Sequence, residues 1–511
     1  MIVRTKSYAQ RDGYVLIAVL LVIVVLSLSA YQFADSMSAE YRVAYRSMEA
    51  AQAKAHAVSG VHYAAAALAD PDTVANVLAN NPYDCEQAFS NVSIGATDGA
   101  RKGGRFALLN ITDNGDASTE KFTRKYGVTD ESGKINLNAM VRIDSSGESL
   151  HAMLVLLPNM TEELADAIVD WLDEDEDQRA SGAEAGAYSE YKPKNGPLST
   201  IDELLLVRGV TPELLYGNDR NRNGIQDAGE SNGGDFSRGW SDYLTVYGRE
   251  LNVDSTGAPR YYVNGTTLAE VNQKIAEAAG QALADYAIAY RLYTVSSTLI
   301  PMPSRTVKGG PTELNAAVQQ SLKSSGKAKR SIANSLLTLV NTRVTLPRAP
   351  GAMPDAPSVV VDSPLNSPEY LKTILPMLLD KLTCKNGYEF NPRINVNTAP
   401  QPLLAVLPGV TPEDAAAAVA ARANLSPGTA EYATGSWLVT QAGMRPDIFR
   451  QIERYITGYT QTYRVQSIGY FGRGGPVARV EAVIDINGGK PRIVYFRDLT
   501  ELGLGFAPPR Q

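Results

Sequence analysis

Residues 14–33 read YVLIAVLLVIVVLSLSAYQF, an apolar run without a charged residue. As a helix with a rise of about 1.5 Å per residue, this run spans roughly the 30 Å hydrocarbon layer of a bilayer. The preceding residues 1–13, MIVRTKSYAQRDG, are polar and carry Arg4, Lys6 and Arg11 against one acid. Because a basic flank stays in the cytoplasm, the sequence predicts that the rest of the chain lies across the membrane.

The helical pattern continues beyond the apolar run. Neither proline nor glycine occurs from Tyr14 to Ser59. Apolar residues recur at steps of three and four, at Phe33, Met37, Tyr41, Ala44, Met48, Ala51, Ala55 and Val58. The pattern predicts one helix over residues 14–69, a transmembrane segment that continues as an amphipathic stalk. A secretory signal is the alternative, since Ser27-Leu28-Ser29 offers small residues to a signal peptidase, but a signal peptide has no reason to continue in this way.

The start of the chain resembles the class III signal of type IV pilins and type II pseudopilins. It shares a basic leader that ends in Gly13, an apolar helix that begins with Tyr14, and an unbroken extension. The resemblance implies cleavage after Gly13 by a prepilin peptidase and N-methylation of Tyr14. Most family members have glutamate at the fifth mature position, where it is thought to neutralise the buried terminal amine of a neighbouring subunit. This chain has Ala18 there; the K class of minor pseudopilins also lacks the glutamate, which implies a place at the filament tip.

The length and the strand-like segments indicate a large protein with an interrupted sheet. With 511 residues, of which 44% are apolar, the chain can form several domains. The strand-like segments lie near the two ends, at Phe106–Ile111, Phe122–Val128, Tyr463–Tyr470, Arg479–Ile486 and Ile493–Leu499. We therefore predict an α+β fold in which a pilin-like long N-terminal helix packs on a small antiparallel sheet, with a large, mainly helical domain inserted between the strands.

The predicted organisation has six parts. They are a prepilin leader (1–13), a transmembrane and stalk helix (14–69), a pilin-like αβ head (70–135 with 463–500), an inserted helical calcium-binding domain (136–250), a helical insert with a Pro-rich linker (251–390), and a second subdomain with a helix-hairpin-helix-like repeat (391–462).

A short phrase recurs in the insertion, as GKINLNA at 133–139, RELNVDS at 249–255 and RINVNTA at 393–399. The first and third copies precede helical hairpins that break at Pro-Asn or Pro-Gly and restart behind a threonine cap. Residues 204–215 form another such hairpin, so the sequence predicts an internal duplication of helix-hairpin-helix form. This motif can bind a nucleic-acid phosphate where lysine or arginine flanks the turn. The first hairpin is instead followed by the acidic residues 170–177, so we predict packing hairpins and no nucleic-acid partner.

Residues 219–230, DRNRNGIQDAGE, match the calcium-loop pattern D-x-[DN]-x-[DN]-G-x5-E. Calcium takes six to eight oxygen ligands, which this spacing supplies in order along the loop. The predicted ligands are Asp219, Asn221, Asn223, the main-chain carbonyl of Ile225, Asp227 and Glu230. No regular pair of helices flanks the loop, so we expect an isolated structural calcium site. A solvated acidic loop is the alternative.

A second acidic cluster follows the first hairpin. Asp173, Asp175, Asp177 and Glu184 fall at positions 1, 3, 5 and 12 of the same spacing, although Gln178 takes the place of the glycine. So many carboxylates repel one another unless a cation joins them. A solvated acidic surface is the alternative for this cluster.

This second cluster resembles the signature of K-class type II pseudopilins. The shared features are D-W-x-D-x-D from Asp170, then Gly182-Ala183-Glu184, and then STIDEL at 199–204 with VRGV at 207–210. The resemblance implies an inserted domain that binds calcium. Carried over to this chain, the implied ligands are Asp173, Asp175 and Glu184, with Asp177 and Asn195 as further candidates. The family's Pro-Pro-Tyr run is reduced here to Tyr191-Lys-Pro193, which bears on the placement of Asn195.

Enzymatic activity is not predicted. The chain has three histidines, and it contains no G-x-S-x-G, HExxH or Walker loop. The two cysteines, Cys85 and Cys384, either form one disulfide in an oxidising compartment or remain two buried free thiols.

We therefore predict a minor pseudopilin at the tip of the type II secretion pseudopilus, which initiates or caps its assembly for protein export. The resemblance implies other minor pseudopilins, the inner-membrane assembly platform and prepilin peptidase as partners. The predicted location is the bacterial inner membrane, crossed once, with the N-terminus cytoplasmic and the bulk of the chain periplasmic. A minor pilin of a type IV pilus or competence system is one alternative, and a membrane-anchored hydrolase or binding protein is another.

Overall fold

The computed structural model describes residues 12–95, 103–111, 125–224, 227, 229–230, 238–302, 305–324, 326–348, 353, 356–472, 474–503, 505–506 and 508–509. In these residues the α-helices are α1 (Asp12–Ala69), α2 (Pro71–Asn76), α3 (Glu86–Phe89), α4 (Leu137–Ile143), α5 (Glu148–Leu154), α6 (Glu162–Leu172), α7 (Pro212–Tyr216), α8 (Leu268–Ala279), α9 (Gln281–Leu292), α10 (Pro311–Lys323), α11 (Pro368–Lys381), α12 (Gln401–Ala405), α13 (Pro412–Arg422), α14 (Ala430–Thr434), α15 (Trp437–Thr440) and α16 (Pro446–Ile452). The strands are β1 (Val92–Ile94), β2 (Gly104–Leu109), β3 (Thr129–Asp130), β4 (Ile135–Asn136), β5 (Leu244–Thr245), β6 (Glu250–Leu251), β7 (Tyr261–Tyr262), β8 (Thr294–Ser297), β9 (Thr306–Lys308), β10 (Thr342–Thr345), β11 (Ser358–Asp362), β12 (Leu382–Thr383), β13 (Glu389–Phe390), β14 (Ile394–Asn395), β15 (Ile456–Thr457), β16 (Thr462–Phe471), β17 (Ala478–Asp485) and β18 (Arg492–Asp498).

Helix α1 has two halves with different surroundings. The residues of its apolar first half are exposed, from Tyr14 at 83% to Met48 at 48%. The second half buries one stripe of small and aliphatic side chains, formed by Ala53, Ala57, Val61, Ala64 and Leu68. These residues recur at steps of three and four, which places them on one face of the helix. Only the second half is therefore packed in the molecule, and the first half extends away from it.

The head sheet has the strand order β1-β2-β16-β17-β18, with β3 also paired to β16. All of these pairs are antiparallel. Because β3 precedes the insertion and β16 follows it, the chain leaves this sheet and returns to the same strand. The structure confirms the predicted fold class, an α+β fold with a pilin-like long helix on an antiparallel sheet.

The two faces of strand β16 carry different kinds of side chain. Tyr463 and Val465 belong to the apolar cluster that includes Ala57 and Val61 of α1. On the opposite face, Arg464 donates to Glu131 at 2.6 Å and Gln466 donates to the carbonyl oxygen of Arg222 at 2.9 Å. Since side chains alternate between the faces of a strand, one face of the sheet packs on the stalk helix and the other packs on the inserted domain.

One predicted head strand is only partly seen. Of the expected strand Phe122–Val128, residues 122–124 lie outside the described residues. Lys125 forms an isolated antiparallel bridge with Asn110. The paired strand β3 begins at Thr129, one residue after the predicted end.

The insertion contains three helical hairpins with the same local construction. The pairs are α5 with α6, the 3-10 segment Ile201–Leu206 with α7, and α12 with α13. Their turns contain Asn159, Gly209 and Gly409, with φ values of 58°, 84° and 77°. The left-handed region suits glycine and asparagine. In each pair the second helix begins behind a threonine, Thr161, Thr211 or Thr411, whose hydroxyl accepts from a main-chain N–H in the first turn.

Two of the repeated phrases adopt the same arrangement. Strand β4 of the first copy pairs in parallel with β5, and β14 of the third copy pairs in parallel with β15. Each of these two-residue ladders closes a unit that contains a helical hairpin. The middle copy differs, because β6 pairs antiparallel with β13.

The region 251–390 is not purely helical. Helices α8 to α11 accompany a four-stranded sheet of order β8-β10-β11-β9, which the sequence analysis did not predict. Strand β11 lies within the part of the chain predicted to be a helical insert with a Pro-rich linker (251–390). The strands are three to five residues long, and non-local pairing determines strands of this length more than local sequence does.

Candidate metal sites

Helix α6 positions the acidic loop that follows it. The helix begins at the cap Thr161 and buries an apolar face that includes Ile168 and Trp171. Asp170, on its last turn, is fully buried and accepts from the main-chain N–H of Ala183 at 2.8 Å. A Cβ atom on Gly182 would lie 1.9 Å from Asp170 Oδ2, so glycine is needed for this close approach. Asp170 therefore folds the 173–184 loop back onto α6.

An ion pair holds the outer side of the same loop. Arg179 donates to Asp166 Oδ1 at 2.9 Å and to Glu148 Oε1 at 2.6 Å. Asp166 also accepts from the main-chain N–H of Ser181 at 3.0 Å. Asp166 is not among the residues predicted from the sequence, although Asp166 and Asp170 are four residues apart on one helix face, a spacing that indicates their shared role.

Among the described residues, three buried oxygen atoms of the loop and of Asn195 have no hydrogen-bond partner. They are Asp173 Oδ1, Glu184 Oε1 and Asn195 Oδ1. Asp173 and Glu184 are only 7% and 6% exposed. Asn195 donates to the carbonyl oxygen of Asp175 at 2.6 Å and lies 3.5 Å from Glu184 Oε2, which aligns it with the two acids. Buried acceptors without partners cost free energy, and a hard cation removes that cost.

The electrostatics of the loop also favour a cation. Burial raises the pKa of Asp173 to about 7, and the neighbouring Asp175, Asp170 and Glu184 add to the rise. Burial raises the pKa of Glu184 as well, against the hydrogen bond from Asn195. Two carboxyl groups are thus held where negative charge is disfavoured unless a positive charge is present. Asp173, Glu184 and Asn195 fit a calcium ion by donor chemistry and by their unpaired oxygens.

The predicted quartet does not form as the spacing suggested. Asp175 and Asp177 are exposed, and Asp175 Oδ1 accepts from the main-chain N–H of Asp177 at 2.9 Å. Within the described residues, no group of three or more His, Cys, Asp or Glu side chains is arranged to hold a metal ion. The side chains of Asp173, Asp175, Asp177 and Glu184 are thus not gathered in one place, and their role as one EF-hand-like ligand set stays a prediction. The loop bends at Asp170 and Gly182, which brings Asn195 to the buried acids instead.

The 219–230 loop is closed by its own hydrogen bonds. Asp219 accepts from the main-chain N–H groups of Asn223 and Gly224 at 3.0 and 2.8 Å. Glu230 accepts from the N–H groups of Arg220 and Asp227 at 2.9 and 3.0 Å. Gly224 has a φ of 72°, as the predicted sharp turn requires.

The amide groups of this loop meet one carboxylate. Asn221 and Asn223 donate to Asp227 Oδ2 at 2.6 and 3.0 Å. Burial raises the pKa of Asp219, against the hydrogen bond from Gly224 and the charge of Arg238. Ile225, the predicted carbonyl ligand, lies outside the described residues. The structure thus gathers Asp219, Asn221, Asn223, Asp227 and Glu230 in one loop, with all three carboxylates already hydrogen-bonded.

The 219–230 loop lies against the head. Arg479 of β17 donates to the carbonyl oxygen of Asn221. Asn223 donates to the carbonyl oxygen of Gly505, near the end of the chain, at 2.8 Å. The loop therefore connects the inserted domain to the head sheet and to the C-terminal segment.

The processing and cysteine predictions concern other parts of the chain. Gly13 and Tyr14 lie in the exposed first turns of α1. Cys85 and Cys384 are both free thiols in the structure, which agrees with the second of the two predicted states. Cys85 packs beside the apolar cluster of the head, whereas Cys384 packs against the core of the insertion, where burial raises the pKa of its thiol.

Comparisons with known proteins find a family model that matches the segment with the acidic loop. Residues 133–216 match the family model of the type II secretion system (T2SS), protein K. Among solved structures, the chain is similar to a chain in the crystal structure of the GspK-GspI-GspJ complex from the type 2 secretion system of enterotoxigenic Escherichia coli. The identity is 13%, the TM-score is 0.37, and the alignment covers 88% of this chain and 97% of that chain. No curated protein sequence matches significantly.

The family match includes the first hairpin and the 173–184 loop, so it falls on the residues that carry the resemblance. Helix α1 is also long and apolar enough to cross a membrane. None of the residues in its most apolar stretch is buried in the molecule, as expected of a membrane anchor. Residues 133–216 of the chain are therefore similar to protein K of the type II secretion system.

Proposed function

We propose that the chain is a minor pseudopilin of the type II secretion system and that it lies at the tip of the secretion pseudopilus, where it initiates or caps assembly. The observation that carries this proposal is the contrast between the two halves of α1. The side chains of the first half are exposed, whereas the second half packs against the head. The head is enlarged by an insertion of more than 300 residues between β3 and β16. A head of this size is difficult to repeat along a thin filament, but a terminal subunit has space around it.

The residue at position 18 agrees with a terminal place. Ala18 offers no carboxylate to the terminal amine of a neighbouring subunit, and an unpaired charge in hydrocarbon is expensive. A subunit without that acid suits the end of a filament, where one neighbour is missing.

The exposed half of α1 is the surface proposed for partners. Phe33, Met37 and Tyr41 are exposed at 66%, 44% and 72% and lie one turn apart. We propose that they pack against the helices of other minor pseudopilins, and that the assembly platform contacts the same half of α1 in the membrane. In this proposal the N-terminus is cytoplasmic, because Arg4, Lys6 and Arg11 precede the span, and the head is periplasmic.

Processing at Gly13 follows from the same proposal. Prepilin peptidase would cleave after Gly13 and leave an N-methylated Tyr14 as the first residue. N-terminal mass spectrometry of the protein from membranes tests this step. A mature chain that begins at methylated Tyr14 supports it, whereas one that begins near Ala30 would place the protein among ordinary secreted proteins.

Gold labelling of isolated pseudopili tests the position. Antibodies raised against the inserted domain are expected to label one end of each filament, with about one cluster per filament. Label distributed along the filaments would contradict the tip proposal. A parallel labelling of the major pseudopilin, which should decorate the whole length, controls for access of the antibody.

Calcium is the proposed cofactor. Asp173, Glu184 and Asn195 would hold one ion through their unpaired oxygens, and the 219–230 loop is proposed as a second site. The ions would contribute stability to the loops, not turnover. The matched family is a structural component of secretion, which agrees with this role.

A further inference from the structure

The inserted region encloses a cavity of about 510 Å³ that belongs to neither candidate metal site. Its walls come from the end of α4, from α11 with β12, from the segment before β14, and from α16 with β15. The cavity therefore lies where the units that contain the first and third copies of the repeated phrase meet the 251–390 region. Its volume is within the range of known ligand pockets.

The charged side chains of this cavity are nearly all cationic. The cations that line the cavity are Arg142, Arg260, Lys385, Arg393 and Arg454, and one acid, Glu453, lies among them. Arg393 is neutralised by Glu250, to which its Nε donates at 3.0 Å. Among the described residues, none of the other four cations forms an ion pair with a carboxylate. Arg260 and Arg454 use one nitrogen each on main-chain oxygens, those of Asp380 and Ile143, both at 3.0 Å.

Three of the cations converge on one aromatic ring. Arg393, Lys385 and Arg260 lie 4.1, 5.1 and 5.9 Å from the centre of the Phe390 ring. Burial and the charge of Arg393 lower the pKa of Arg260 to about 10, against the charges of Glu250, Asp380 and Asp254. Burial and Arg393 also lower the pKa of Lys385, against the charge of Glu250. Cation–π contacts offset part of this repulsion. A bound anion would offset the rest, because opposite charge favours the protonated form of each group.

Apolar side chains complete the walls. Leu336, Leu382, Phe449 and Ile456 are buried and line the same cavity. A ligand that fills it must therefore combine negative groups with an aliphatic part.

We propose that this cavity binds an acidic peptide segment, in which two or more carboxylates alternate with aliphatic side chains. Guanidinium groups match carboxylates in a planar, two-bond geometry. A nucleic acid would need an extended basic surface, whereas the chain carries a net charge of −7. The acyl chain of a lipid would need walls free of charge, whereas the cations here converge on the Phe390 ring inside the cavity.

The test uses the full chain in detergent micelles and a fluorescent peptide, Asp-Leu-Glu-Ile-Asp, followed by fluorescence anisotropy. The unlabelled amide peptide Asn-Leu-Gln-Ile-Asn serves as a ligand control. We expect the acidic peptide to bind with an affinity that falls as salt is added. We expect the amide peptide not to compete.

The informative variants are Arg142→Gln and Lys385→Gln. Both residues are exposed and form no ion pair within the part of the chain that the structure describes, so the fold should tolerate the substitutions. Each removes one charge-assisted hydrogen bond and should weaken binding about tenfold or more. Lys372→Gln, at an exposed position on α11 that does not line the cavity, is the matched control and should bind as the unmodified chain does. Thermal unfolding of all three variants verifies that they are folded.

Two kinds of result would overturn the proposal. One is an acidic peptide that does not bind, or that binds Arg142→Gln, Lys385→Gln and Lys372→Gln equally. The other is selective binding of inorganic phosphate or of phosphatidylglycerol vesicles, lost in Arg142→Gln, with no binding of the peptide. The measurement does not depend on where the subunit lies in the filament, so its failure would leave the tip proposal unaffected.

Discussion

Asn395 donates a hydrogen bond of 2.7 Å from Nδ2 to Asp130 Oδ2, although 265 residues separate them. Asp130 ends strand β3 of the head, and Asn395 belongs to β14 in the third copy of the repeated phrase. Thr398 and Thr460 donate to the same oxygen, each at 2.6 Å. Ser132 donates its N–H to the other oxygen at 2.8 Å. One buried carboxyl group therefore joins the point where the chain leaves the head sheet to the segment by which it returns.

Replacement of this carboxyl group should loosen the insertion. In Asp130→Ala the buried amide of Asn395 and the hydroxyl of Thr460 lose this acceptor, and unsatisfied buried groups are costly. We expect a loss of about 2–4 kcal/mol in the free energy of unfolding, measured by urea unfolding of the full chain in micelles. Asp84→Ala, at an exposed head position, should change it by less than about 0.5 kcal/mol. Equal effects of the two substitutions would show that Asp130 does not hold the insertion.

The contact between α1 and β16 depends on a glycine. A Cβ atom at Gly469 would lie 2.1 Å from the carbonyl oxygen of Ala53 and 2.3 Å from the amide nitrogen of Ala57. Gly469→Ala should therefore push the stalk helix from the sheet and destabilise the head by about 1–3 kcal/mol. Hydrogen exchange should show faster exchange in the second half of α1 and in β16.

The matched substitution for this experiment is Gly186→Ala. A Cβ atom at Gly186 meets nothing within 4 Å, so its exchange pattern should equal that of the unmodified chain. If Gly469→Ala gave the same pattern as Gly186→Ala, the close approach of helix and strand would not be essential.

Local periodicity explains which elements could be predicted. The stalk helix follows from a continuous pattern of apolar steps, and the structure places it at Asp12–Ala69. Strands β16, β17 and β18 agree with the prediction to within about one residue, since each has a strong β-type pattern of its own. The helical hairpins could also be recognised, because the left-handed turn and the threonine cap that follows it lie within a few residues of each other in the sequence.

Long-range contacts explain what could not be predicted. The four strands of the 251–390 region are short and pair across the α10 segment and the segment after it, so nothing local identifies them. The spacing 1, 3, 5 and 12 suggested one ligand set at 173–184. Asp170 and Gly182 instead fold that loop so that Asn195, a more distant residue, approaches Glu184. A pattern gives the types of residue at a site, whereas packing decides which of them meet.

Calcium should stabilise the protein through the buried acids. A ligand at one hundred times its dissociation constant adds about 2.7 kcal/mol to the free energy of unfolding. We expect thermal unfolding of the unmodified chain to shift upward with calcium and downward with a chelator. Glu184→Gln should abolish most of the shift, because it removes the charge of a buried ligand, whereas Glu176→Gln, at an exposed position, should not.

A second variant separates the two candidate sites. Glu230→Gln tests the 219–230 loop, and loss of the shift in this variant alone would assign calcium to that loop and not to Glu184. An unfolding temperature that changes with neither calcium nor chelator would contradict the proposal for both sites.

Glu453 should make stability depend on pH. Burial raises the pKa of Glu453 to about 7 from its ordinary 4.5, against a hydrogen bond from Ser335 and the charges of Arg393 and Arg260. Between these values the folded protein keeps a proton that the unfolded chain has lost. The contribution of Glu453 to stability therefore falls as pH rises from about 4.5 to about 7, and then levels. The total change is at most about 3 kcal/mol.

The variant Glu453→Gln isolates this effect, because glutamine is neutral at every pH and keeps the shape of the side chain. The difference in unfolding free energy between the variant and the unmodified chain should move in favour of glutamine as pH rises from 5 to 8. Glu190→Gln, at an exposed position, should give a difference that does not change over this range. If the difference in unfolding free energy had the same pH dependence for the two variants, Glu453 would be ionised over the whole range from pH 5 to 8. Arg260 and Arg393 would then have its carboxylate as a counter-charge, and the cationic cavity would have less need of an external anion.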